Sequence, residues 1–348
     1  MPLRPRVRGP RGFSGRAPGR SIGRAPRQAH GWALIAVIAA VATLACSCRS
    51  PDRAGPASCE VWVTRDCGHT VLKSVEETFS PGETVMDVTR RVCRVETMYG
   101  GGFVKSIDDL ASTGRRSSQG GDWFYYVDGV LEGRGAAESR VADGAIVWWD
   151  YHDWSSGGGI FVAPVGAWPR PLDRSLDSGC RVLFTSSAAD RALRISKAIE
   201  SAGGECHLNG YAGEPLDDRQ SPVLLVGLAE EALNYPWLSD LFRNAWRAGM
   251  PGTVKKEGLL GFDSRGKEGA CWREGAALIV ATGSFMGDRR PLFLVVGWDK
   301  AGLDAAVAVL TDGESRGRSE LKRAFGLAIT SLGGVRLPVD AAGGGDRQ

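Results

Sequence analysis

Two apolar patterns divide this chain, and no single sheet or bundle accommodates both. Between positions 60 and 151 the apolar residues come in short alternating runs, at 60–64, 123–127 and 145–151. Alternation places successive side chains on opposite faces of half-buried strands. From Arg181 the runs become continuous, at 182–184, 221–227, 276–281 and 291–297, with a further strand at Gly258–Phe262. Helical stretches separate them at 188–202, at 229–248 with a break at Pro236, at 302–310 and at 319–329. Uninterrupted apolar strands alternating with helices read as a sheet covered on both faces. The expectation is an α+β domain over 58–172, followed by an α/β domain with a parallel or mixed sheet over 175–337. Gly157-Gly158-Gly159 and Trp168-Pro169-Arg170-Pro171 mark the joint, and 338–348 reads as a disordered tail.

Local signals refine the first domain. Ser80-Pro81-Gly82-Glu83 is a turn, and Thr84 with Asp87 has capping-box spacing ahead of a helix whose apolar face is Val85, Met86, Val88 and Val92. Asp128-Gly129 stands between two apolar runs, a strong hairpin signal because both turn residues tolerate positive φ.

The beginning of the chain reads differently. Eight arginines and no acidic residue occupy the first 31 positions, followed by an uncharged run of 14 residues at 32–45. A helix needs about 20 apolar residues to cross a bilayer, so this length suits a signal-peptide core better than a permanent anchor. The arginines favour retention of that end in the cytoplasm, with everything after Cys46 outside. Thr43-Leu44-Ala45-Cys46-Ser47-Cys48 resembles the lipobox of bacterial lipoproteins, although Thr43 and Ala45 stand where leucine is usual. Residues 1–45 are therefore expected to be a leader, with a lipidation site at Cys46 or Cys48 and a spacer to 57. An ordinary signal peptide cut near Ala45 and a retained anchor are the alternatives. The expected location is extracytoplasmic, tethered to the cell membrane by lipid.

Without those eight arginines the remainder carries 35 basic and 40 acidic residues, a formal charge of −5, which favours no nucleic-acid partner. Six cysteines lie beyond the leader, at 59, 67, 93, 180, 206 and 271, and none has the CxxC or Cys/His spacing of a local zinc motif. An even count in an oxidising compartment points to disulfides. The expected pairs are Cys67 with Cys93 or Cys59, and Cys180 with Cys206; Cys271 is a buried hydrophobe or a sixth partner.

Between Trp123 and Trp154 lie four tryptophans, three tyrosines, one phenylalanine and a histidine. Rings of this size fill a small core, and rings with polar handles also build a binding platform. Trp123, Tyr125, Trp148, Asp150, His152 and Trp154 are the ligand-binding candidates, with Trp123, Tyr125 and Trp148 expected to lie side by side. The segments 63–66, 81–88, 99–104, 123–129 and 148–154, in this order, resemble the transcobalamin-like C-terminal domain of bacterial surface proteins of unassigned function. The resemblance implies a β-grasp-like fold and an accessory role in vitamin or small-molecule uptake, with cobalamin as a cofactor by likeness alone. Under it His152 is a candidate axial ligand to corrinoid cobalt, oriented by Asp150 or Asp153; otherwise it is a strand-end histidine bonded to a loop. No helical partner domain, such as closes over cobalamin in the vertebrate relatives, is encoded here.

No nucleophile elbow, kinase set, zinc-hydrolase motif or dinucleotide fingerprint is present, so no catalytic residue is assigned. The reading is a membrane-tethered binding or accessory lipoprotein whose partners are a small molecule or an envelope protein, in a transport system. The rivals are an extracellular carbohydrate-active hydrolase with acidic residues at the strand ends of the second domain, and a structural adaptor that binds protein through its aromatic face.

Overall fold

Strand β1 (Ala57–Arg65) and strand β2 (Thr70–Phe79) form the opening hairpin, joined by a turn at Asp66, Cys67 and Gly68 that is left-handed at all three residues. The computed structural model describes residues 56–99, 102–113, 121–154, 160–174, 179–313, 315 and 317–339. Gly68 is required at this turn: its φ is +80°, and a Cβ there would meet the Arg323 carbonyl oxygen at 1.8 Å. Helix α1 (Val85–Val92) follows, and the expected capping box is complete, with Thr84 Oγ1 accepting from Asp87 N and the Asp87 carboxylate accepting from Thr84 N.

A small sheet then forms from β3 (Val95–Met98), β4 (Phe103–Ile107) and β5 (Leu110–Ala111). Strands β6 (Asp122–Val127) and β7 (Val130–Leu131) make the Asp128-Gly129 hairpin, whose φ values are 51° and 74°. The last strand, β8 (Ala145–His152), runs parallel to β1 and antiparallel to β6, giving the order β2-β1-β8-β6-β7. A mixed sheet with its first and last long strands side by side at the centre and one helix on a face is the layout expected of a β-grasp-like domain.

The second domain is a seven-stranded mixed sheet. Its parallel half is β9 (Cys180–Phe184), β10 (Cys206–Gly210), β11 (Val223–Leu228) and, after the excursion β12 (Gly252–Lys255), β13 (Gly258–Phe262), β14 (Glu268–Trp272) and β15 (Ala277–Thr282), strand β16 (Leu292–Gly297). With β17 (Gly326–Thr330) and β18 (Gly333–Leu337) the order is β10-β9-β11-β16-β15-β17-β18, the last three being antiparallel. Helices α2 (Ala189–Ser201) and α5 (Lys300–Thr311) cover one face. Helices α3 (Ala229–Leu233) and α4 (Pro236–Arg243), broken at Pro236 as expected, cover the other together with the small sheet β12-β13-β14. Alternate residues of each central strand enter opposite cores: Leu224 and Val226 face α2 and α5, whereas Val223 and Leu225 face α3 and α4.

One expected element is corrected. The stretch 319–329 is not a helix; α6 (Arg318–Leu321) is a single turn, and β17 follows it. Leu327 and Ile329 enter one core and Ala328 the other, so the period is two, and strand pairing to β15 outweighs the helical propensity of the stretch. Pro338 and Val339, placed at the head of a disordered tail, are instead fixed: Val339 N donates to Phe262 O at 2.7 Å, and Pro338 O contacts His69 Nε2 at 2.7 Å.

The two domains pack together within one compact unit from Gly55 onward. Trp62, Tyr126 and Trp148, on the sheet face away from α1, pack with Phe161, Ala167 and Phe325. Strands β1, β6 and β8 are thus largely buried on both faces, which explains their aromatic density better than exposure does. Among the described residues, no helix is long and apolar enough to cross a membrane. The leader, Cys46 and Cys48 lie outside the described residues.

Candidate functional site

Register sorts the aromatic side chains. Tyr125 pairs with Trp149 and Tyr126 with Trp148, so Trp123, Tyr125 and Trp149 share the α1 face while Trp148 lies on the other. The expected platform of Trp123, Tyr125 and Trp148 is therefore corrected: Trp148 is 0% exposed and packs on Trp62, Tyr126 and Phe325. Its indole N–H donates to Thr64 Oγ1 at 2.7 Å. Trp154 is half-buried, and its indole donates to Asp122 Oδ2 at 2.6 Å.

Trp123 and Tyr125 do meet in a cleft. They line a cavity of about 400 Å³ with Trp149, Phe103, Glu132 and Met286, the last contributed by the second domain. Each ring is fixed by its polar end: Trp123 Nε1 donates to Leu110 O at 3.0 Å, Tyr125 Oη to Arg134 O at 2.5 Å, and Trp149 Nε1 to Thr89 Oγ1 at 2.9 Å. Burial pushes the Tyr125 phenol up to about 12, so it stays a neutral donor. Phe103 and Met286 are 36% and 53% exposed, leaving apolar area at the mouth. The Glu132 carboxylate is buried and paired with Arg289, a charge anchored at the joint of the two domains. Such a cleft suits a flat, partly apolar molecule held by rings and a few polar atoms. Phe103, Glu132 and Met286 carry no local signal as lining residues, because three separate parts of the chain bring them here.

Asp150 and His152 belong to a different site. The Asp150 carboxylate, 0% exposed, accepts from Cys67 N at 3.1 Å, Gly68 N at 2.9 Å, Thr64 Oγ1 and His152 Nδ1 at 2.7 Å. The His152 ring stacks on Phe124 with centroids 4.4 Å apart. A Cys–His–Asp arrangement raises the question of a nucleophile, but burial pushes the Cys67 thiol well up, with Asp150, Asp66 and Asp153 adding to it. A neutral thiol is a poor nucleophile. Cobalamin does not fit either location: His152 is 2% exposed and does not line the aromatic cleft, so it cannot reach cobalt in a macrocycle seated there. The cleft's volume is also near the lower end of the roughly 300–1,000 Å³ usual for drug-sized ligands, and a corrinoid with its nucleotide tail is larger.

The cysteines separate by face as well. Cys59 and Cys93 lie in the core beneath α1, whereas Cys67 is on the opposite side of the sheet, so the expected pairing of Cys67 with either is corrected. All six are free thiols, but Cys180 and Cys206 are register partners on β9 and β10 with Sγ atoms 3.1 Å apart. Cys271 is exposed rather than buried.

The strand-end acids have structural tasks. Asp299 caps α5, accepting from Gly302 N and Gly275 N at 2.8 Å each; burial raises its pKa, but these N–H donors outweigh that and hold it below the ordinary range. Glu231 accepts from the Thr185 and Ser187 hydroxyls.

The fold and cleft thus define a two-domain chain, a mostly β aromatic-rich domain with one helix followed by a larger mixed α/β domain. Residues 82–153, from the turn before α1 to the end of β8, match the model of a domain of unknown function, DUF4430. The matched segment omits β1 and β2, although β1 is central to the sheet. No curated protein matches the chain.

Proposed function

We propose that this chain is a membrane-tethered extracytoplasmic binding or accessory lipoprotein, and that its aromatic cleft takes a small, flat, partly apolar molecule in an uptake system. The carrying observation is the cleft itself, floored by Trp123, Tyr125 and Trp149 and walled across the domain joint by Met286. Ligand area there would be exchanged for rings already ordered by hydrogen bonds, so little side-chain entropy is lost on binding. The lipobox-like segment with Cys46 and Cys48 supports the tether, and the likeness to transcobalamin-type domains supports uptake rather than catalysis.

The test is native mass spectrometry of the purified protein with a mixture of heterocyclic cofactors and small glycans, followed by titration of any retained compound. Trp123→Ala should weaken binding by about 2 kcal/mol, the size of a hot-spot truncation. Retention of no compound, or affinity indifferent to Trp123→Ala, refutes the cleft as the binding site. Mass spectrometry of the mature N-terminus tests the tether separately: an unmodified terminus refutes it.

A further inference from the structure

A second cavity lies beside a histidine–carboxylate pair on one strand and a cysteine far from it in sequence. The ligand-type atoms of Cys67, Asp150 and His152 all lie within 4.8 Å of one another, and all three residues are buried. They meet because β1 and β8 run parallel with Thr64 beside Asp150, and the left-handed turn after β1 brings Cys67 back over the end of β8.

Asp150 is saturated. Its four hydrogen bonds use the acceptor positions that a carboxylate offers, which makes it a positioning residue rather than a metal ligand. A carboxylate only accepts, so His152 Nδ1 carries the proton and Nε2 is left with its lone pair. That Nε2 is buried and has no hydrogen-bond partner among the described residues. The Tyr126 hydroxyl, also fully buried, lacks one too. Unpaired buried polar atoms are rare and call for an explanation. Stacking on Phe124 and the bond to Asp150 fix the imidazole, the arrangement by which a carboxylate orients a metal-binding histidine.

We propose that Cys67 Sγ and His152 Nε2 are two ligands of a zinc ion, with the remaining coordination filled from the adjoining cavity. That cavity, of about 170 Å³, is lined by Cys67 and His152 together with Asp66, His69 and Asp153, and it is closed by Ser264, Pro338 and Val339 of the second domain. Sulfur and imidazole donors select a borderline-soft ion over Mg²⁺ or Ca²⁺, which take oxygen ligands, and the acidic wall favours a cation. On binding, the S–H bond of Cys67 breaks, its proton leaves to solvent and the sulfur–zinc bond forms, with no change of oxidation state. The ion would tie the β1–β2 turn to β8, beneath the segment after β18 that closes the cavity. This site is independent of the aromatic cleft.

The test uses the full chain, stripped with EDTA and reloaded. Zinc should bind one per chain, and Co²⁺ should give a thiolate-to-cobalt charge-transfer band that is lost in Cys67→Ser. Asp150→Asn should keep the band but lower zinc affinity roughly 10–100-fold, as expected for a residue that orients a ligand. Zinc should also slow alkylation of Cys67 in the unmutated protein, a readout that does not depend on any variant folding. Absence of bound zinc, a band that survives Cys67→Ser, uptake of Cu⁺ alone, or a Cys67 alkylation rate indifferent to zinc would each overturn the proposal.

Discussion

Trp148→Ala probes the layer that joins the two domains. The indole is fully buried, with ring centroids 5.7 Å from Trp62, 5.6 Å from Tyr126 and 5.2 Å from Phe325. At about 25 cal/mol per Å², a buried Trp of roughly 200 Å² contributes at most about 5 kcal/mol. Large-to-small substitutions of Phe or Trp cost about 3–5 kcal/mol once the cavity is included. Three aromatic neighbours anchored in different elements cannot collapse together into the void, so about 4 kcal/mol is expected, a large share of the roughly 5–15 kcal/mol total typical of a protein. Trp148→Phe should cost less, about 1–2 kcal/mol, mostly the lost bond to Thr64. Urea unfolding followed by circular dichroism measures both. A loss under about 1.5 kcal/mol in Trp148→Ala would show that the ring is not an anchor of the domain joint, and the reasoning from its burial would fail.

Non-reducing peptide mapping should find Cys180 joined to Cys206 after exposure to oxidised glutathione, with Cys59, Cys67 and Cys93 left as thiols; closing a loop with a sequence separation of 26 stabilises by about 3.5 kcal/mol in the chain-entropy model, and two unlinked thiols refute it. Gly68→Ala should destabilise by at least about 2 kcal/mol, since a left-handed Ala is strained and its Cβ would strike the Arg323 carbonyl; wild-type stability would contradict the turn geometry. Thr84→Ala should cost about 1 kcal/mol through loss of the cap. Thr84 also holds the Asp87 carboxyl below its ordinary value, by its hydroxyl first and then its backbone N–H. The native pKa is depressed, so this contribution is present above about pH 4 and disappears as pH falls through the native value. Acid titration of stability should be shallower in Thr84→Ala, and an identical profile would refute the link.

Local chemistry was legible in the sequence wherever neighbours in the chain decide the outcome. The capping box at Thr84 and Asp87, the Asp128-Gly129 hairpin, the break at Pro236 and the alternation of β6 and β8 depend on backbone preferences and on a period of two, which a short segment carries by itself. The continuous apolar runs likewise required a sheet covered on both sides. What the sequence could not determine was which face of the aromatic strands the second domain would cover. A one-residue difference of register exchanges Trp148 for Trp149, and only the pairing of β6 with β8 fixes it. The end of the 319–329 stretch, from Gly326, is a strand for the same kind of reason, because it pairs with the edge of β15. Cys67 and His152 show the limit most clearly: 85 positions apart, they match no spacing rule, and they become neighbours only because β1 and β8 lie parallel and the turn at Gly68 folds back over their ends.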